Sequence, residues 1–492
     1  MSKWTDAPSS PMNYKKHLTG AAYLIAQSLT LNLISVPATA LIIRRLGATQ
    51  YGEWAVATAL VATTAFLTNL GLREVFLRRV IFYPADVETA VAEQIGLRGM
   101  LALLSGAVAL VACLLIGYPP IILQCVSIMS VGVVLSTLNS VLVDMMQGTH
   151  RVSTVATANF VSGLALTTIS VILVLNRPGA IILSLAYLFG PLTSLMFLLG
   201  VAQRGGIQIR VAVNFVVFRN LLRQSRVLVF PQMLGSLRDK LESLLVPKLV
   251  GVTAFGYFAA GSMPANRLGI FAEGITTSFY SRIAHDGKDQ AASATGVTAQ
   301  LISTVLLVCI PLSMLLFVLA QPVSEILFPK SPDNCKVLMQ ITCWAITLEG
   351  LAQAFSCVIQ AVGKFKEVSQ ATTAAAVVGI VTTIYLIHLF GALGACGALL
   401  ARYLIMILLL LPNLTRIFPS VLTKVPWMRL FCSAFVMAVV LNLYTIVPGS
   451  AWVKMFLVSS LACVCYCLCL ILLGVIPRHM LRTLIYQDSI DS

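Results

Sequence analysis

The segment RRLGATQYGEWAVA, Arg44 to Ala57, recurs as KLVGVTAFGYFAAG, Lys248 to Gly261. Gly47, Thr49, Gly52 and Ala55 align with Gly251, Thr253, Gly256 and Ala259 at one constant offset; Tyr51 stands against Phe255, and Arg78 falls opposite Arg282. A second echo sets QGTHR, Gln147 to Arg151, against VGKFK, Val362 to Lys366. Self-similarity of this kind marks a duplicated structural unit.

The solvent of that unit follows from composition. Of 492 residues, 58% are hydrophobic and only 10% charged, with a mean hydropathy of +0.92. Soluble domains carry about 25% charged residues. A water-soluble core cannot hide so much apolar surface, so lipid must solvate most of it. The chain reads as an all-α polytopic membrane protein. Its apolar runs are long and unbroken, unlike the alternating strands of a barrel, and a helix crosses the hydrocarbon core with roughly 20 apolar residues. About fourteen transmembrane helices fit by that measure, near 18–43, 51–78, 95–117, 120–146, 152–176, 179–202, 225–249, 254–281, 294–320, 336–361, 368–390, 392–415, 428–447 and 451–475. The polar start and the long first apolar run read as lacking a cleavable signal peptide.

Matched positions of the repeat lie six spans apart, on the same side of the membrane. An even number of spans per unit makes the repeats parallel. The expected organisation is a cytoplasmic N-terminal tail (1–17), an N-lobe of six helices (18–202), a basic cytoplasmic linker (203–224), a C-lobe of six helices (225–416), a C-terminal helix pair (425–475) and a cytoplasmic C-terminal tail (476–492). Lys15, Lys16, Arg78, Arg79, Arg151, Arg204, Arg210, Arg219, Arg223, Lys364 and Lys366 then gather on one side, which the positive-inside rule makes cytoplasmic. The net charge of +15 is therefore mostly topogenic, and nucleic acid is excluded as a partner. The Arg-rich linker has two readings: a topogenic segment, or a basic shelf for anionic lipid or phosphate. Cys463, Cys465, Cys467 and Cys469 stand at every second position, which scatters them around a helix; no metal or cofactor is implied. There is no P-loop for ATP hydrolysis. The loops leave no room for a glycosyltransferase domain.

LGATQYGEWAVATALVATTAFLTNLGL (Leu46 to Leu72), the run LLVPKLVGVTAFGYFAAG after Asp239, and the stretch from Ile359 to Leu404, with IQAVGKFKEVSQATTAAAVV and LFGALGACGALLARYL, together resemble the Wzx-type polysaccharide flippases of the multidrug/oligosaccharidyl-lipid/polysaccharide (MOP) exporter superfamily. The resemblance implies a two-lobe MATE-like transporter in the bacterial cytoplasmic (inner) membrane. It would carry undecaprenyl-diphosphate-linked oligosaccharide between leaflets by alternating access, for surface polysaccharides such as O-antigen or exopolysaccharide. Its partners would be that substrate, membrane lipid, a coupling H+ or Na+, and polysaccharide polymerase or export proteins. The first span departs from neighbouring branches: it lacks the acid of MATE drug exporters and the arginines of peptidoglycan-precursor flippases. A MATE-like cation-coupled drug exporter and, in another class, a membrane-embedded glycan polymerase or ligase are the alternatives.

The stretch GSLRDKLESLL, Gly235 to Leu245, puts Arg238, Asp239, Lys240 and Glu242 inside span seven. A charge at the bilayer centre costs about 2.5–3.5 kcal/mol on insertion scales, so these groups must face protein or water. Arg238 and Glu242, four apart, share a helix face and can pair. One reading is a self-neutralising cluster that locks helices. The other is a midplane site, in which Arg238 and Lys240, with Arg267 and Arg402, attract the diphosphate, while Asp239, Glu242 and Glu273 bind a coupling cation. Gln27 and Asn32 of the uncharged first span then face the sugars. Asp144, near a span end, reads as interfacial, and Arg73 and Glu74 as snorkelling to the headgroups.

Overall fold

A computed structural model describes residues 14–149, 151–207, 209–289, 291–446 and 451–473. The N-terminal tail before residue 14 and the C-terminal tail 476–492 lie outside the described residues. The described chain is helical, without strands. That is what a bilayer demands, since a helix satisfies its own backbone hydrogen bonds where no water can.

The chain divides into two compact units, Met1–Gly256 and Tyr257–Ser492. The first holds α1 (Tyr14–Thr64), α2 (Leu72–Phe82), α3 (Val87–Ile116), α4 (Pro120–Gly148), α5 (Val152–Asn176), α6 (Ala180–Ala186), α7 (Phe189–Arg204) and α8 (Phe215–Leu249). α9 (Val252–Leu268) crosses the boundary. The second unit continues with α10 (Ile270–Asp289), α11 (Ala291–Leu327), α12 (Pro332–Thr342), α13 (Ala345–Ala361), α14 (Phe365–Ile417), α15 (Val421–Lys424), α16 (Trp427–Ile446) and α17 (Ala451–Leu472). Two continuous runs are each two spans: α1 turns at Gly47 (φ 72°) and α14 at Gly391 (φ 58°), left-handed conformations that only glycine adopts without strain. With those turns, and with the pairs α6–α7, α9–α10 and α12–α13 each filling one span, the helices accommodate all fourteen. Among the described residues, eight helical stretches are long and apolar enough to cross a membrane, and shorter apolar helices follow at Trp427–Asn442 and Leu457–Leu472. α8 starts at Phe215, so the last part of the expected linker is helix.

α3 shows how lipid reverses the usual pattern. Its inward face carries Gln94, Arg98, Ala102, Ser105, Ala109 and Cys113, all buried, whereas Leu103, Leu104, Val111, Leu114 and Leu115 point outward. Small residues let the backbones approach, while large aliphatic ones meet acyl chains at no cost. Gly106 fits this scheme, for a Cβ there would come within 2.9 Å of Ser130 Cβ on α4.

The two copies of the sequence repeat meet each other. A Cβ on Gly52 would run into the carbonyl oxygen of Val252, and one on Gly256 into the carbonyl oxygen of Ala48. Thr49 and Thr253, equivalent in the repeat, share a hydroxyl–hydroxyl hydrogen bond of 3.1 Å. The matched glycines are thus the crossing point of two backbones. Replacing Gly256 by Ala forces main chain apart, an overpacking that costs about 1–3 kcal/mol. Gly256→Ala is expected to lower the thermal midpoint of the purified protein, measured beside Gly200→Ala, where a Cβ meets nothing within 4 Å and the midpoint should hold. Equal midpoints would contradict the crossing.

Candidate functional site

The second span does not run straight through. α1 ends at Thr64, a short 3-10 turn covers Ala65–Thr68, Leu70 and Gly71 both adopt positive φ (43° and 78°), and α2 starts at Leu72. Positive φ at leucine is strained, and such strain persists only where the surroundings hold it. A break inside a span also frees backbone groups that lipid cannot satisfy. Here side chains replace the missing turns: Asn69 Oδ1 accepts from the backbone N–H of Arg73 at 3.0 Å, and the Thr68 carbonyl accepts from Arg98 Nε at 3.3 Å.

Arg98 is the centre of a buried polar network. Its Nη1 donates to Asp144 Oδ2 at 2.9 Å and its Nη2 to Ser140 Oγ at 2.8 Å. Both Arg98 and Asp144 are only 3% exposed. The other oxygen of Asp144 accepts from Arg73 Nε at 3.0 Å, and Arg73 Nη2 donates to Gln147 Oε1 at 2.8 Å. Asp144 is therefore not merely interfacial, as its place near a span end suggested. One carboxylate bridges two guanidiniums, and Arg73 is tied inward through α4 while its side chain stays half-exposed. Further along α2, Arg79 binds Asp86 (2.6 Å) and Glu93 (2.5 Å). Burial works against the Arg79 charge, and the two carboxylates more than offset it, raising its pKa. A cavity of about 210 Å³ opens beside the break, lined by Thr58, Val61, Thr68, Ser136, Thr137 and Tyr187 among others. Thr137 links the cavity to the network, its carbonyl accepting from Ser140 Oγ at 2.7 Å.

The charges of span seven lie on α8. Glu242 is buried at 3% exposure and Lys240 is half-buried; the side chains of Arg238 and Asp239 lie outside the described residues. The end of α8 is pinned to the α3–α4 turn, since Lys248 Nζ donates to the Ile116 carbonyl (2.6 Å) and Tyr118 Oη to the Leu244 carbonyl (3.3 Å). In the first span Gln27 and Asn32 are both half-buried, and Gln27 Oε1 is buried with no hydrogen-bond partner among the described residues.

In the second unit Arg402 is 6% exposed. Its guanidinium lies 5.4 Å from the Tyr403 ring centroid, close enough for a cation–π contact. The Tyr403 side chain also interacts with Glu349, whose Oε1 accepts from Gln353 Nε2 at 3.2 Å. Arg402 and Glu349 are thus brought to one cluster on α13 and α14. Arg267 and Glu273, on either side of the α9–α10 break, are exposed.

Breaking a buried pair by removing one partner costs about 3–5 kcal/mol, because the other charge is left stranded. Arg98→Met alone is expected to cut the yield of folded protein severely. Arg98→Met combined with Asp144→Leu should recover most of it, read by size-exclusion profile and thermal midpoint. A single variant as stable as the wild type would contradict the network.

A family model described as "Polysaccharide biosynthesis protein" matches residues 41–336. No curated protein matches the sequence. Among solved structures, one titled "Lipid II flippase MurJ, inward closed conformation" superposes with a TM-score of 0.67 at 15% identity, covering 95% of this chain and 99% of that one. A multidrug resistance MATE family transporter of the MOP superfamily, in an inward-facing conformation, gives 0.60 at 13% identity, over 82% of this chain and 99% of that one. A eukaryotic MATE transporter gives 0.52 at 14% identity, over 84% and 98%. At such identities the likeness is one of fold. The match to the family model covers more than half of the sequence, and the chain belongs to the polysaccharide biosynthesis protein family, built on the fold of the MOP exporters.

Proposed function

We propose that this chain is a flippase for undecaprenyl-diphosphate-linked oligosaccharide, moving glycan repeat units across the bacterial cytoplasmic membrane. One observation carries the reading: a polysaccharide biosynthesis chain has eight described helical stretches long and apolar enough to cross a membrane, on the fold shared with a lipid II flippase. A polysaccharide function exercised inside the bilayer needs a substrate that is itself a lipid, and a lipid-linked glycan is one.

The expected roles follow from charge and from place along the spans. Arg238 and Lys240 on α8, with Arg267 and Arg402, hold the diphosphate. Gln27, whose buried oxygen has no partner among the described residues, and Asn32 meet sugar hydroxyls. Asp239, Glu242 and Glu273 hold a coupling H+ or Na+. Buried Glu242 supports this assignment, since an intramembrane carboxylate is functional by default. Transport then runs by alternating access, in which substrate and ion shift the equilibrium only by their difference in affinity for the two states. The product would feed a polysaccharide polymerase on the far side.

The test is mass spectrometry of undecaprenyl-linked glycans in cells depleted of the protein. One completed repeat unit should accumulate, and wild type should clear it. Asp239→Asn, expressed equally, should restore transport poorly, with at least a tenfold slower clearance, about 1.4 kcal/mol in rate terms. Loss of surface polymer without accumulation would point to polymerisation instead, and no change in either to drug export.

A further inference from the structure

Between Asp144 and Asp239 the sequence holds no acidic residue, yet the end of α7 and the stretch after it carry Arg204, Arg210, Arg219 and Arg223, and all four are exposed. Interleaved with them are Val211, Val213, Phe215 and Val216, large apolar side chains exposed by 59–71%. Ordinary loops do not present such a surface to water, and contiguous exposed apolar groups mark a partner.

The segment is held in place from its other side. Ile207 joins the buried core of α2, α3, α4, α5 and α7. The Ala212 N–H donates to the Ala92 carbonyl of α3 at 3.1 Å, and the Ala212 carbonyl lies so close to Gly96 that a Cβ there would collide with it. Asn214 Oδ1 caps α8, accepting from the N–H groups of Val216 and Val217 at 3.0 and 3.4 Å. Phe218 and Leu221 then bury themselves with Leu72 and Leu97. On the first turns of α8, Phe215, Arg219 and Arg223 recur every four residues, which places them on one helix face, away from the buried Phe218 and Leu221. The strap therefore has a docked side and a side of arginine and aliphatic or aromatic residues, fixed relative to unit 1.

We infer that this outer side is a docking surface for the anionic phospholipids of the surrounding membrane. The strap begins where α7 leaves the hydrocarbon core, so its depth is that of the headgroups. Apolar groups beside cations suit the boundary between acyl chains and headgroups, and the exposed Arg204, Arg219 and Arg223 add the positive charge that attracts lipid phosphate. The geometry assigns Val211, Val213, Phe215 and Val216 to the acyl boundary and Arg204, Arg219 and Arg223 to the phosphates. Nothing in this surface depends on which molecule the protein transports.

The test uses the full chain in vesicles, with Phe215→Trp as reporter and Val213→Trp as an independent second; the five native tryptophans are subtracted with wild type. Brominated phosphatidylglycerol should quench the reporter more strongly than brominated phosphatidylcholine at equal mole fraction. Replacing Arg204, Arg219 and Arg223 together by Gln should abolish the preference while leaving quenching itself. Equal quenching by the two lipids would overturn the inference, and so would absence of quenching by either. A preference erased by farnesyl diphosphate would overturn it in favour of a substrate-docking surface, whereas an unchanged preference supports bulk lipid as the occupant.

Discussion

The ion pair between Arg98 and Asp144 answers the constraint that governs the rest of the fold. In a bilayer neither a charge nor a broken backbone turn can look to water for a partner. The second span breaks at Ala65–Gly71, and Arg98 meets the Thr68 carbonyl that the break leaves open, while Asp144 meets Arg98 and Arg73 together. The same four residues therefore neutralise charge, repair backbone and join α2, α3 and α4 at one end of unit 1. Remove the network and the Thr68 carbonyl would lose its guanidinium donor and Arg73 its tie to α4.

Such a break has a use. Irregular backbone at membrane depth is tolerated where it is buried or lines a cavity, and transporter sites are commonly built at discontinuous helices. The break here does line a cavity, through Ala65 and Thr68. Its walls are hydroxyl-bearing and uncharged, with the charges held one layer behind them. In unit 2 the Glu349–Tyr403–Arg402 cluster is of another kind, a cation held against an aromatic ring. The repeat has kept its glycine crossing and diverged in where it places charge.

What the sequence made legible follows from which forces act locally. Span positions were readable because lipid acts on every residue of a helix alike, so hydropathy reports it directly. The duplicated motif was readable because Gly52 and Gly256 are under a steric demand that no other residue meets. Arg98 stands only three residues into the expected third span, so its one local signal is an arginine at the start of an apolar run with an acid near the end of the next span. Its weight comes from Asp144, forty-six positions away, and such a partnership is set by packing, not by local pattern. Asp144 was misjudged for the same reason: nearness to a span end says nothing of whether the group faces headgroups or a neighbouring helix. The strap after α7 was legible as basic, but its docked side depends on the close approach at Gly96, which only the fold reveals.

The central claim is that this membrane-embedded member of a polysaccharide family moves a lipid-linked glycan. The most direct measurement is in proteoliposomes, scoring how much fluorescent polyprenyl-diphosphate-linked oligosaccharide from the inner leaflet becomes accessible to a membrane-impermeant lectin. The account predicts that vesicles containing the purified chain expose the inner pool faster than protein-free vesicles, and that unlinked glycan stays put. An inner pool that remains as protected as in empty vesicles, under every imposed proton, sodium and voltage gradient, would contradict it.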